Sequence, residues 1–523
     1  MRLIRTLVAP LALLLPFVLA ACGTLPTQPP RPPTTTLAPA PDSPLVQLAQ
    51  GSVPSPEATG FRLMPLGAFS LDARLQLAQR AKYSLDVQYY LIQDDKTGRL
   101  LLRNLRDAAL RGVRVRLLVD DLYTSGADPL FVGLAAFPNV EVRLFNPFCC
   151  GRSSLTTKYL ASLGDFHRLN HRMHNKLFIA DSAIAVTGGR NIADEYFMRS
   201  ARENFVDMDS FLVGAVVPEL SHIFDSFWNS PQVYPAAAII GDELSRDDRQ
   251  RDFNQRVDDG EQMTALTLPP FDILGYGPIG EDIAAGRLGL IWGKASAFAD
   301  PPGKVEALTE EQARAMSVTK SVLDLVMASK SDVVVSSPYF IPGARGIAAI
   351  AKLHERNVHM TILTNSLASN DEPLVHTGYA HYRADMLKSG VDLYELSPTR
   401  IKRNKRLMLP GLSLGRLHAK TVVIDRKLVF IGSMNLDPRS ASTNTEVGII
   451  AESPELAREV IRVIQISKLQ SAYRLRLAPD GKNLEWLSSD GDKEIVLSEE
   501  PDTTTLMRLE NMLLAPLVPE EDL

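Results

Sequence analysis

Two stretches of the chain carry the same six residues at the same spacing. His174, Lys176, Asp181, Gly188, Gly189 and Asn191 form one set; His418, Lys420, Asp425, Gly432, Ser433 and Asn435 form the other. Both read H-x-K-x4-D-x6-G-[GS]-x-N without a gap, 244 residues apart. Residues two apart on an extended strand share a face, so each stretch offers an imidazole and an ammonium side by side. The glycine turn allows close backbone approach, and an asparagine amide can donate to an oxyanion. If the copies face each other, two imidazoles, two ammoniums and two amides surround one anion, and phosphate suits such a site. Lysines act as point charges on phosphate, and pre-placed donors stabilise charge that develops on its oxygens. One imidazole can attack phosphorus while the other protonates the leaving oxygen, which passes the reaction through a phosphohistidine. The ammoniums supply the charge and the histidine spacing is not that of a zinc helix, so neither metal nor cofactor is expected.

An imidazole nucleophile needs a partner for its other ring nitrogen. Glu446 lies 28 residues after His418 and Asp207 lies 33 after His174, each opening a strand-like run; Asp209 competes with Asp207. Asp181 and Asp425 admit two readings, a catalytic acid or a salt bridge or turn cap. Arg190, inside the first glycine turn, is a candidate head-group contact. His167 and His171 read as a basic rim rather than metal ligands. The stretch Gly289–Ala295 lacks the length and the hydroxyl of a phosphate loop.

The elements that position these residues repeat. A periodic helix at 71–82 leads to a strand at 84–92, a helix at 100–111, strands at 113–121 and 140–145, and then the first motif. A helix at 318–329 leads to a strand at 332–341, a helix at 347–355, strands at 358–365 and 391–396, and the second motif. This alternation predicts an α/β fold of two pseudo-symmetric halves, residues 60–230 and 316–475, with mostly parallel or mixed sheets packed around one site. Residues 231–315 read as a connector and 476–523 as a polar, acidic tail.

The chain has 523 residues, 45% apolar and 22% charged, enough for more than one core. Its formal charge is −5, or −7 once Arg2 and Arg5 leave with a leader, so no nucleic-acid partner is expected. Residues 1–22 read as a signal peptide. Its apolar run, Leu7–Ala21, is too short to span a bilayer and ends at Leu19-Ala20-Ala21-Cys22-Gly23. That end resembles a lipobox, which implies acylation of Cys22. By resemblance to lipoprotein sorting, Gly23 implies the outer membrane rather than the inner, on the periplasmic side. Residues 23–59 then form a Pro/Thr-rich spacer. Cys149 and Cys150 read as two thiols. Arg400, Lys402, Arg403, Lys405 and Arg406 precede LMLPGLSL, a combination suited to anionic lipid or, equally, to a solvated run over a buried loop.

The doubled motif resembles the phospholipase D superfamily over residues 60–475. FNPF (145–148), LNHRMHNKLFIAD (169–181), GGRNIADEYF (188–197) and VHTGYAHYR (375–383) look like its bacterial cardiolipin synthase C-type branch. The resemblance implies a phosphatidyltransferase that makes cardiolipin from phosphatidylglycerol or phosphatidylethanolamine as donor and phosphatidylglycerol as acceptor. It implies His174 as nucleophile and His418 as general acid and then base, with the reverse order open. Lys176, Lys420, Asn191 and Asn435 would hold phosphate oxygens, and Gly189, Ser433 and His376 would contact substrate. A phospholipase D hydrolase that releases phosphatidic acid is the alternative; a nuclease or a non-catalytic lipoprotein is further off.

Overall fold

The computed structural model describes residues 25–241, 243–258, 268–305, 309–403, 414–490 and 493–514. Cys22 with its leader, and residues 404–413 of the basic run and apolar loop, lie outside the described residues. The main elements of the first half are α1 (Pro44–Ser52), β1 (Thr59–Met64), α2 (Gly67–Arg80), β2 (Ser84–Tyr89), α3 (Lys96–Leu110), β3 (Arg114–Asp120), β4 (Val140–Phe145), β5 (Leu177–Ala180), β6 (Ile184–Gly188), β7 (Glu203–Val206), β8 (Asp209–Gly214) and α4 (Val216–Trp228). The connector contains β9 (Ile291–Ala299). The second half follows with α5 (Val318–Met327), β10 (Asp332–Ser336), α6 (Gly343–Glu355), β11 (His359–Asn365), α7 (Pro373–Lys388), β12 (Asp392–Leu396), α8 (Pro398–Arg403), β13 (Leu414–Leu417), β14 (Thr421–Ile424), β15 (Leu428–Gly432), β16 (Val447–Glu452) and α9 (Pro454–Ser471). Strands β17 (Ala472–Leu477), β18 (Leu484–Asp490) and β19 (Lys493–Leu497) and helix α10 (Thr505–Leu514) complete it.

Among the described strands, parallel ladders are confined to β2–β3–β4 and, equivalently, β10–β11–β12, the strands joined by crossover helices, and to a separate β7–β13 ladder. All other neighbours are antiparallel, so the sheet is mixed. It runs β4–β3–β2–β5–β6–β8–β1–β9–β16–β15–β14–β10–β11–β12–β17–β18–β19. Strand β9 joins the halves: Ile291–Gly293 pair with β1, and Lys294–Ala299 pair with β16. The sequence reading of 231–315 as a connector with some local structure did not single out this strand, because it offers no run of apolar residues long enough to mark it. The acidic tail likewise supplies β18, β19 and α10.

Each half buries its own apolar cluster, and a third cluster lies between them. That shared core takes Phe61, Leu118 and Leu212 from the first half, Val423, Ile431 and Ile449 from the second, and the inner faces of α4 and α9. The Pro/Thr-rich segment is not a free tether. Arg31 donates to the Trp228 carbonyl (3.1 Å), the Trp228 indole donates to Thr34 (2.8 Å), and Arg116 donates to the Thr34 carbonyl (3.0 Å). Extended backbone with free carbonyls suits this role, since buried arginines and tryptophan need acceptors.

Candidate active site

The constant spacing between Lys and Asp in the two motifs has a structural cause. Four residues after each lysine form β5 or β14, and the aspartate then opens a two-residue hairpin turn. Asp181 and Ser182 have φ of 48° and 54°, and Asp425 and Arg426 have 52° and 53°. This left-handed pair is what a two-residue hairpin demands, and aspartate tolerates it. The Asp181 carboxylate accepts from the N–H groups of Lys82, Tyr83 and Ser84 and from the Ser43 hydroxyl. Asp425 accepts from Lys330, Ser331 and Asp332 in the same way. Both acids therefore anchor the start of β2 or β10 and do not join the histidines; of the two readings, the turn cap is correct and the catalytic assignment is not. Asp425→Ala should cost about 1 kcal/mol of stability, since three N–H donors at the strand start exchange its carboxylate for water. Thermal unfolding should show that loss, while kcat of the folded enzyme stays within about threefold.

The main chain just before each histidine is clamped from the end of the neighbouring parallel strand. Asp120, closing β3, accepts from the Met173 N–H (2.8 Å) and pairs with Arg172 (2.7 Å). Asn365, closing β11, accepts from the Leu417 N–H (2.8 Å) and donates to the Leu417 carbonyl (2.9 Å). Sequence reasoning had no signal for these clamps, whose partners lie 53 and 52 residues apart.

The histidines are then handed across the molecule. The His174 N–H donates to the Thr445 carbonyl (2.9 Å) and the His418 N–H to the Val206 carbonyl (2.8 Å). This brings Glu446 to His174 Nδ1 at 3.0 Å and Asp207 to His418 Nδ1 at 2.6 Å. These are the two acids that the sequence singled out, but each lies against the histidine of the opposite half. Both imidazoles present Nε2 away from their acids. His174 and His418 are 8% and 5% exposed, enough for one edge to face a ligand. Lys176 and Lys420 each donate to the carbonyl of the histidine two residues earlier (2.7 Å). Tyr90 packs edge-on against His174 and Tyr196 against His418.

The glycine turns differ between halves, and the difference fits the acid each supports. A Cβ on Gly189 would stand 2.3 Å from Asp207 Oδ1, so only glycine lets that carboxylate sit there. At the equivalent position Ser433 donates its hydroxyl to Glu446, as does Ser440 (2.8 Å). Gly189 and Ser433 thus shape the acids rather than touching substrate. Arg190 is also corrected: it is fully buried and donates to the carbonyls of Met64, Pro65, Tyr196 and Asp207. It fixes the backbone of Asp207 and cannot reach a head group. Asp209, the competing orienter, pairs instead with Arg74 (3.0 Å) and accepts from Ser70. His376 is buried on α7, where Arg383 donates to its Nε2 (2.9 Å), so it is not a substrate contact. The His167 and His171 rings lie beside one another at a tilt of 44°, 4.9 Å between centres.

Asn191 and Asn435 retain unused hydrogen-bonding capacity. Each has a buried amide oxygen without a partner among the described residues, and the Asn191 amide nitrogen lies 3.0 Å from the Tyr196 hydroxyl. The two amide ends are interchangeable by a half-turn. With the Asn191 amide turned, Tyr196 donates to Oδ1 and the NH2 is free for an anion.

Residues that sequence reasoning missed complete the Glu446 side. Asp300, at the end of the β9 segment, accepts from the Glu446 N–H (3.0 Å) and from Lys304 (2.8 Å). Lys304 in turn donates to the Ser440 carbonyl (2.9 Å). No local pattern in the sequence marks contacts made across about 140 residues.

The electrostatics are unequal. Burial, reinforced by Lys176 and Lys420, pushes His174 well below the usual imidazole range. Burial and Lys420 also lower His418. Burial lowers Lys176 strongly and Lys420 to about 8. Burial raises Glu446 to about 7 despite Lys176. Asp207 is pushed up by burial too, but the adjoining His418 outweighs that and holds it at about 2. His174 therefore rests neutral, while His418 sits against a firmly ionised acid.

The family profile described as "Cardiolipin synthase, PLD-like domain" matches residues 75–228 and 322–466, the two halves built above. The chain is 39% identical over 471 residues to cardiolipin synthase C of Escherichia coli, covering 87% of this chain and 94% of that protein. It is 26% identical over 424 residues to a cardiolipin synthase of Staphylococcus aureus, covering 80% and 69%. Phosphatidylserine synthase of Haemophilus influenzae shares the fold, with a TM-score of 0.54 at 13% identity over 88% of this chain and 95% of that one. With a doubled motif, a shared site between two halves and these relatives, the chain belongs to the phospholipase D superfamily, in the cardiolipin synthase C-like branch.

Proposed function

We propose that this protein is a phosphatidyltransferase that makes cardiolipin through a phosphohistidine on His174. The crossed histidine–acid pairs carry this reading, because they leave two Nε2 atoms free beside two lysines. His174, held neutral with its Nδ1–H on Glu446, keeps an unprotonated Nε2 to attack the phosphorus of a donor phospholipid. His418, braced by ionised Asp207, is suited to carry a proton at Nε2 and deliver it to the departing head-group oxygen. The P–O bond to the head group breaks as the P–N bond forms. His418, now neutral, then takes the proton from a hydroxyl of phosphatidylglycerol. That oxygen attacks the phosphohistidine, and His174 leaves. Lys176, Lys420, Asn191 and Asn435 stabilise the non-bridging oxygens throughout. An anion between the lysines would also restore their charge, which burial alone opposes.

The donor is phosphatidylglycerol or phosphatidylethanolamine, and acylation of Cys22 holds the protein on the periplasmic side of the envelope, at the outer membrane. The leader sequence supports the anchor, and two or more acyl chains make attachment stable. Incubation of purified protein with labelled phosphatidylglycerol, with and without phosphatidylethanolamine, tests the reading by mass spectrometry of the products. Cardiolipin is the expected product. Phosphatidic acid alone would make the enzyme a hydrolase.

A further inference from the structure

The Pro/Thr-rich segment before α1 lies along the body from Gln28 to Ser43. It is extended: Thr34 and Thr36 are half-buried, while Pro33, Thr35 and Leu37 are exposed. Its inward face is held at separate places. Gln28 donates to the carbonyl of Pro231 (3.0 Å), and Arg31 to that of Trp228. The N–H groups of Thr34 and Thr36 donate to Asn229 (3.1 Å) and Asp225 (2.8 Å). Arg116, buried between Asp86 and Asp225, donates to the Thr36 hydroxyl (3.1 Å) as well as to Thr34. The Leu37 carbonyl accepts from Ser182 (2.6 Å), and the Ser43 hydroxyl donates to Asp181. Pro29, Pro30, Pro32 and Pro33 favour extended backbone before docking, so laying the segment down costs little chain entropy.

The consequence is one of length. A free spacer from Cys22 to Pro44 would reach roughly 70 Å as extended, proline-rich chain. Docking at Gln28 leaves six residues of tether from Cys22, which span about 20 Å at most. The docked end lies on the approach to the active site. Gln28 donates to the carbonyls of Pro231 and Val233, and the Gln232 carbonyl between them accepts from the Asn146 N–H (2.8 Å). The Asn146 amide donates to the carbonyl of His171 (2.7 Å), three residues before His174. This corner carries both signs, Glu141 paired with Arg143 and Asp165 with Arg168, so its charge selects no partner. The tether does.

We infer that residues 28–43 are a strap that seats the body on the leaflet in which Cys22 is anchored, so that the enzyme takes its phospholipids from that leaflet and not from a facing membrane. The inference rests on the acylation and the phosphatidyl transfer proposed above. A short tether raises the effective concentration of the lipids around the anchor and excludes those beyond its reach.

The test uses the full acylated chain in vesicles, with labelled phosphatidylglycerol and phosphatidylethanolamine either in the same vesicles or only in a second population. Cardiolipin and phosphatidic acid are both counted, so the result does not depend on the acceptor. The native chain should work on its own vesicles about tenfold faster, or more, than on the second population. A chain with about 30 Gly/Ser residues inserted between Pro26 and Thr27 keeps the strap and lengthens the tether. It should act on the second population about tenfold better than the native chain. Equal use of both populations by the native chain overturns the proposal, and so does an inserted chain that gains nothing. In hydrogen exchange on the same sample, the Thr34 and Thr36 amides should be protected; exchange at the rate of an unstructured peptide overturns the strap itself. An N-terminal peptide without acyl chains in mass spectrometry overturns the anchoring and the choice of leaflet with it. Protected amides and an acylated Cys22 without labelled product in either arrangement would overturn the transfer reading, and the choice of leaflet with it, and leave the strap standing.

Discussion

His174→Ala and His418→Ala should each lower kcat by about 10⁴-fold or more, and the double variant should be little worse than either alone. Groups that act as one unit lose most of their effect on the first deletion. The two histidines are such a unit, because attack by one requires protonation by the other. The single variants should nonetheless differ in kind. With His418 absent, a donor bearing a good leaving group, such as a nitrophenyl head group, no longer needs an acid. The first step should then recover in a burst assay and leave the phosphoryl group on His174. With His174 absent, no leaving group should restore it. Comparable rescue of His174→Ala would reverse the assigned order. Both variants should fold, since neither ring fills the apolar core.

Glu446→Gln should make the protein inactive and, at alkaline pH, more stable. Burial holds the Glu446 proton on until about pH 7 in the folded chain, whereas the unfolded chain loses it in the ordinary carboxyl range. Between those limits the unfolded state binds fewer protons than the folded one, so stability falls as pH rises. The whole penalty is present above about pH 7 and amounts to about 3 kcal/mol. Glutamine can accept from His174 and satisfy Ser433 and Ser440 without a charge, so it removes the penalty. Urea unfolding at pH 5 and pH 8 should show a smaller fall for the variant than for the native chain. Activity should drop by about 10²–10⁴-fold, because the imidazole loses its anionic partner. Equal pH slopes in the two proteins would show that Glu446 is not strained by its place. Asp207→Asn should lack the stabilising half of this behaviour, since its partner already favours the ionised form.

Much of the site was legible because its residues sit in two short runs that each obey strand and turn geometry. The pairing of Glu446 and Asp207 with opposite histidines was not legible. It depends on β7 lying parallel to β13 and on Met173 bridging to Thr445, contacts between halves that leave no periodic trace. Arg190 was misread for a related reason. Its place in the glycine turn suggested a head-group contact, but four backbone carbonyls of separate segments enclose it, and only the folded chain assembles them. His376 was drawn toward the substrate by its neighbours in sequence and is instead tied to Arg383, one of the buried charges on α7. The fold itself was visible where apolar strands alternate with helices. It was invisible at β9, β18 and β19, which are held by their ladder neighbours rather than by their own apolar content.

The claim on which the rest depends is that both halves close on one phosphoryl group. A crystal structure of the protein with orthovanadate addresses it directly. The account predicts a single vanadium atom flanked by Nε2 of His174 on one side and Nε2 of His418 on the other, with Lys176 and Lys420 on the equatorial oxygens. Vanadate held by the residues of one half alone would contradict it.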